Sequence, residues 1–180
     1  MNILLINGSV AKKSHTEALL QYIASLFEKK DVTTKWWNLK EKPMLVVLPE
    51  YHHNPMDHPD RMVHEFVRAV EQVDGIVLGS PLYHGSYAGV LKNALDNLHF
   101  DTFRGKWIGL VGNGGSIRAD HVQLVHLRQV VKTLYGYTLQ TQVGTCAQDY
   151  EEQESGFTLN NKEIIKRCQR LVDEMIKLLT

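Results

Sequence analysis

Short apolar runs alternate with stretches of helical period along most of the chain, and this alternation restricts the fold more than any other feature. The runs cover Ile3 to Ile6, Val32 to Trp37, Gly75 to Leu78, Trp107 to Val111 and Tyr137 to Val143. The first closes on Asn7, Gly8 and Ser9, the third on Gly79, Ser80 and Pro81, and the fourth on Gly112 to Ser116. Such residues are the punctuation of a strand turning into a loop. Apolar positions at helical spacing follow each run, over Ser14 to Lys30, Arg61 to Val73, the stretch up to Leu98, Val122 to Leu134 and Lys162 to Leu179. Five strands alternating with five helices predict an α/β fold, a five-stranded parallel sheet with helices on both faces. Leu39 to Pro59 has no clean period and holds four of the five prolines. It reads as a long apolar loop, either packed on the core or walling a pocket. Ala147 to Phe157 reads as an acidic loop.

A chain of 180 residues with 43% hydrophobic content can bury one sizeable core, so residues 1–180 are expected to form a single domain. Lys and Arg number 20, as do Asp and Glu, and the formal net charge is zero. No overall basic field favours nucleic acid or an anionic membrane as partner. Cys146 and Cys168 make no CxxC spacing and predict reduced thiols, not a disulfide framework or a zinc site. The first residues lack a basic segment and run straight into a strand, so a soluble, cytoplasmic protein is expected.

Ligands of open α/β sheets bind at the carboxyl ends of the strands, and three of these ends have suitable loops. After the first strand, Ser9, Ser14 and Thr16 place hydroxyls around a helix N-terminus, a site suited to a phosphate monoester. The same residues would also serve as simple helix caps. No GKS/GKT or GxGxxG pattern occurs, which disfavours a nucleoside triphosphatase or a dinucleotide-type dehydrogenase. After the third strand, Pro81 fixes the backbone, Tyr83 and His84 offer aromatic faces, and Gly85 allows close approach. After the fourth, Asn113, Gly114, Gly115 and Ser116 form a turn against which a planar ring could lie. A phosphate grip, a polar edge and a flat backing surface together describe a mononucleotide with a large ring system, and FMN fits best.

Asn7-Gly8-Ser9 with Ser14 and Thr16, then Ser80 to Ser86 with Gly89 to Asp96, resembles the NADPH-dependent FMN reductase family of flavin, azo-dye and quinone reductases. The resemblance implies a flavodoxin-like three-layer sandwich with strand order 2-1-3-4-5. It implies phosphate contacts from Ser9, Ser14, His15 and Thr16. Flavin contacts would come from Pro81, Leu82, Tyr83, His84, Gly85 and Asn113 to Ser116. It further implies FMN as cofactor, NADPH or NADH as co-substrate, a small-molecule electron acceptor, and a homodimer or homotetramer. Ala11 stands where relatives often have an arginine, leaving Lys12 and Lys13 as the nearby cations. The rival functions are a flavodoxin-type electron carrier and a scaffold protein without flavin. Such carriers tend to show a strongly acidic face, which zero net charge does not favour.

Several weaker signals have plain structural explanations. His52, His53 and His58 lie in the proline-broken loop without a metal-binding spacing and are expected to be exposed. Lys92 and Asp96 stand one helical turn apart and should pair on an exposed face. Trp36 and Trp37 should point to opposite sides of a strand, one of them into the core.

Overall fold

The computed structural model describes residues 1–116 and 121–180. In chain order the elements are β1 (Asn2–Asn7), α1 (His15–Glu28), β2 (Thr33–Asn38), α2 (Arg61–Glu71), β3 (Gly75–Tyr83), β4 (Ser86–Tyr87) and α3 (Gly89–Asp96). They continue with β5 (Trp107–Asn113), α4 (Val122–Thr133), β6 (Tyr137–Thr145), β7 (Tyr150–Gln153), β8 (Gly156–Leu159) and α5 (Lys162–Leu179). The sheet runs β2-β1-β3-β5-β6, every neighbouring pair parallel. Counted among these parallel strands alone, the order is the expected 2-1-3-4-5. Two additions were not expected: the two-residue β4, antiparallel to the end of β3, and the separate β7–β8 hairpin.

Apolar runs that are continuous and not alternating belong to strands covered on both sides. Leu4, Ile6, Ile76, Leu78, Ile108 and Leu110 face a core completed by Val63, Phe66 and Val67 of α2, Leu91 and Leu95 of α3, and Leu124 and Leu127 of α4. Their neighbours Ile3, Leu5, Val77 and Val111 face the opposite core, made with Leu19, Ile23 and Phe27 of α1 and Leu171, Val172 and Met175 of α5. Three of the helices, α1, α2 and α5, start where a side chain satisfies an orphan amide. Ser14 accepts from Glu17 N at 3.1 Å, Asp60 from Met62 N at 2.9 Å and Asn161 from Glu163 N at 3.0 Å.

β3 continues past the expected Leu78 to Tyr83, because Ser80 and Pro81 still pair with Gly112 and Asn113 of β5. Proline supplies no donor, and it is tolerated near the end of the ladder. The stretch read as an acidic loop folds back on itself as β7 and β8. Between Ile108 and Leu110 the β5–β6 register shifts by two residues. The resulting bulge is held from both sides, by Arg128 Nη1 donating to Thr138 Oγ1 at 2.8 Å and by the Glu174 carboxylate accepting from Gln140 N and Thr141 N.

The proline-broken segment contains only two short 3-10 turns, at Pro49–Tyr51 and Pro55–Asp57. Asn93 of α3 fastens it, donating Nδ2 to the Leu45 carbonyl at 2.8 Å and accepting from Val47 N at 2.9 Å. Its His58 is buried, 3% exposed, which corrects the expectation of a solvated loop histidine. The ring packs edge-on near Tyr51, and its Nδ1 accepts from Asp60 N at 3.0 Å. Trp37 is buried while Trp36 stays at the surface, and Lys92 pairs with Asp96 at 2.6 Å, as expected. No helix among the described residues is long and apolar enough to cross a membrane.

Candidate functional site

The loops after β1, β3 and β5 meet at the carboxyl edge of the sheet because those strands are adjacent there. Gly8 and Gly79 set the closest approach: the Gly8 amide donates to the Gly79 carbonyl at 2.8 Å, and a Cβ on Gly8 would meet that oxygen. Behind this contact, buried Asn7 organises the first loop. Its Oδ1 accepts from Ser9 N at 3.0 Å, and its Nδ2 donates to Ser9 O and to Asn38 Oδ1. Ser9 Oγ then accepts from Ala11 N at 3.4 Å, closing a tight polar turn.

That turn delivers the chain to the start of α1. The first four amides of a helix have no acceptor within it. Ser14 Oγ takes Glu17 N, and the Ser14 carbonyl takes Ala18 N. The amides of His15 and Thr16 therefore remain for a ligand, at the positive end of the helix dipole. The His15 ring stacks on Phe157 of β8 with centroids 3.7 Å apart and lies 4.8 Å from Tyr150 of β7. Burial holds its pKa below the usual histidine value, against the opposing pull of Glu152. Neutral imidazole thus dominates at pH 7.

The second loop is a hairpin. Tyr83 pairs with Ser86, and His84 and Gly85 between them both have positive φ, 48° and 79°. Positive φ at both central residues is what a two-residue type I′ turn requires. Buried Ser80 ties the hairpin to the start of α3, donating Oγ to the Pro81 carbonyl and accepting from Ala88 N, both at 2.9 Å. In the third loop, Gly114 N donates to Thr145 O at 2.8 Å. A buried relay also runs from Tyr150 OH to Thr145 Oγ1 at 2.9 Å, and from Thr145 Oγ1 to Asn113 Oδ1 at 3.0 Å. Burial drives the Tyr150 pKa strongly upward, so its hydroxyl keeps its proton and acts as a donor.

The three loops enclose an open cleft of about 220 Å³. Ser9, Ser14, His15, Thr16, Pro81, Leu82, Tyr83, Asn113, Gly114 and Gly115 line it. His84, Gly85 and Ser116 do not: the first two form the hairpin tip, and Ser116 is exposed beyond the glycines. Ala11 and Lys13 also line the cleft; the sequence marked them for the first loop's charge and not as contacts. The β7–β8 hairpin behind His15 escaped it as well, since its acidic side chains carry no alternating pattern.

These features define the class of a flavodoxin-like α/β protein with its site at the carboxyl ends of the central strands. A model described as NADPH-dependent FMN reductase matches residues 1–149, and the chain belongs to that family. It is 36% identical over 177 residues to the FMN-dependent NADPH-azoreductase of Staphylococcus aureus strain USA300, covering 98% of this chain and 94% of the relative. Among solved structures, FerB, a flavoenzyme NAD(P)H:(acceptor) oxidoreductase from Paracoccus denitrificans, superposes with a TM-score of 0.78 at 16% identity, over 99% of this chain and 96% of that one. An FMN-dependent NADH-azoreductase from Bacillus anthracis strain Ames Ancestor, in complex with FMN, gives 0.68 at 13% identity over all of both chains. At such identities the structures show the fold alone. The family's chemistry is that of an FMN-dependent NAD(P)H oxidoreductase.

The donor set suits FMN. Two free helix amides with the hydroxyls of Ser9, Ser14 and Thr16 complement a phosphate, and the Pro81 to Tyr83 and Asn113 to Gly115 backbones offer a flat wall and a polar edge.

Proposed function

We propose that the cleft binds FMN and that the protein passes two electrons from NADPH or NADH to a small acceptor such as a quinone or an azo compound. The observation that supports this most is the convergence of three loops of complementary chemistry in one open cleft. The His15 and Thr16 amides and the hydroxyls of Ser9, Ser14 and Thr16 hold the phosphate. Pro81, Leu82 and Tyr83 on one side, with Asn113, Gly114 and Gly115 on the other, orient the ring. When bound, FMN supplies the redox chemistry, accepting and releasing the electron pair. The protein's part is to bind and orient, and the cleft's open mouth leaves room for the co-substrate and then the acceptor.

An exposed apolar group beside the cleft, Val10, Leu45, Val46 and Val90, supports a homodimer or homotetramer. Both cysteines are free and buried, in keeping with a reducing compartment such as the cytoplasm.

The test is an anaerobic titration of the FMN-loaded protein with NADPH, followed by addition of a quinone. Loss of the flavin absorbance and its return with the acceptor are expected. Binding of FMN without bleaching would point to an electron carrier, and failure to take up FMN would overturn the proposal. Sedimentation at micromolar concentration should show a species larger than a monomer.

A further inference from the structure

We propose that Lys13 is the cation that recognises the FMN phosphate in this chain. Glu152 of the β7–β8 hairpin competes for it, so the hairpin sets the preference for FMN over riboflavin. The inference rests on the proposed flavin site, whose cleft Lys13 lines.

Within the first loop, residues 8–16, the cations are Lys12 and Lys13. Lys12 is not part of the cleft lining, and its carbonyl is engaged by Lys40 Nζ at 3.0 Å. Lys13 Nζ lies 2.8 Å from Glu152 Oε1 and 3.2 Å from the Gln153 carbonyl. Two residues on, the His15 ring stacks against Phe157 of the same hairpin. The hairpin thus grips the loop at two points, by charge at Lys13 and by ring contact at His15, and keeps Lys13 at the cleft.

The Lys13 and Glu152 side chains are 42% and 67% exposed, and an ion pair so exposed to water is weak. A phosphate monoester is close to a dianion at neutral pH and presents three acceptor oxygens. It therefore outcompetes a single carboxylate for the ammonium, while the carboxylate left behind repels it. Riboflavin lacks the phosphate and is indifferent to both effects. The match to the family model ends at residue 149, just before β7 begins, so the hairpin that carries Glu152 lies outside the matched residues.

The full chain, freed of flavin, would be titrated with FMN and with riboflavin by fluorescence quenching, as wild type, Lys13→Ala, Lys13→Arg and Glu152→Gln. Lys13→Ala should weaken FMN binding about tenfold, the loss of one charge-assisted hydrogen bond, and leave riboflavin unchanged. Lys13→Arg should retain most of the FMN affinity. Glu152→Gln should tighten FMN at least threefold (on the order of one screened charge contact), again without effect on riboflavin. Wild-type protein that binds neither flavin would defeat the proposed function itself. Wild-type protein that binds FMN, with Lys13→Ala binding it equally well or Glu152→Gln binding it more weakly, would overturn the roles of Lys13 and Glu152.

Discussion

Gly8 and Gly79 touch across the β1–β3 boundary, with the Gly8 amide 2.8 Å from the Gly79 carbonyl oxygen. A Cβ on Gly8 would stand 2.8 Å from that oxygen and 3.0 Å from Leu91 Cβ, and neither neighbour is a flexible side-chain end. Gly8→Ala must push the first loop away from the second. We expect a destabilisation of about 1–3 kcal/mol, the range for overpacking a close contact. FMN affinity should drop more steeply than stability, because both loops line the cleft. Chemical denaturation and flavin titration of the same variant check both outcomes.

His15 gives the fold a pH dependence of known sign. Its pKa in the folded protein is lowered by burial from the ordinary 6.5. The unfolded chain therefore binds a proton at a higher pH than the folded one, and stability falls as pH drops from 6.5 toward the folded value. Above 6.5 the effect vanishes. Replacing His15 by Phe keeps a ring against Phe157 but removes the titration. The variant should lose less stability than the wild type between pH 7 and 5, as measured by denaturant unfolding across that range.

Glu174 should contribute in the opposite half of the acid range. Burial favours its neutral form, but the hydrogen bonds at Thr141 and Gln140 outweigh burial and hold the pKa below the ordinary 4.5. Its stabilisation is present above pH 4.5 and is lost as pH falls through the lowered folded value. Glu174→Gln keeps one oxygen for the two bulge amides and should cost roughly 1–3 kcal/mol at pH 7. The difference from wild type should shrink at pH 3. Faster amide hydrogen exchange at Gln140 and Thr141 would localise the effect to the β6 bulge.

Asn93 tests the role of the apolar segment beside the cleft. Its amide bonds both edges of the Met44 to Val47 backbone, and the segment completes an apolar cavity of about 270 Å³ with Val10, Leu39 and Val90. Asn93→Ala should free the segment, seen as faster proteolysis between residues 43 and 48. It should also raise KM for an apolar quinone several-fold, as expected for loss of one or two hydrogen bonds of about 1 kcal/mol each. FMN affinity should remain that of the wild type, since Asn93 does not line the flavin cleft.

The sequence by itself determined the layers, because a parallel strand buried on both faces must be apolar throughout and its covering helix must be apolar on one side. Ile3 to Ile6 and Gly75 to Leu78 announce their strands for that reason, and α5 (Lys162–Leu179) was legible from end to end through its inward stripe. It also located three ligand-type loops, since hydroxyls, glycine and proline recur at the carboxyl ends of three strands, where open α/β sheets bind their ligands. Tertiary structure decided which of those residues share a cleft. His84 and Gly85 read as ligand contacts, yet two successive positive φ values make them the tip of a hairpin just past the cleft-lining Pro81 to Tyr83, and they do not line the cleft themselves. The sequence offered Lys13 only as one of two cations near the first loop, and Tyr150 and Phe157 carried no ligand-type signal. Their roles arise from contacts between residues more than a hundred positions apart, Lys13 with Glu152 and His15 with Phe157, and such pairings exist only once the sheet has brought the loops together.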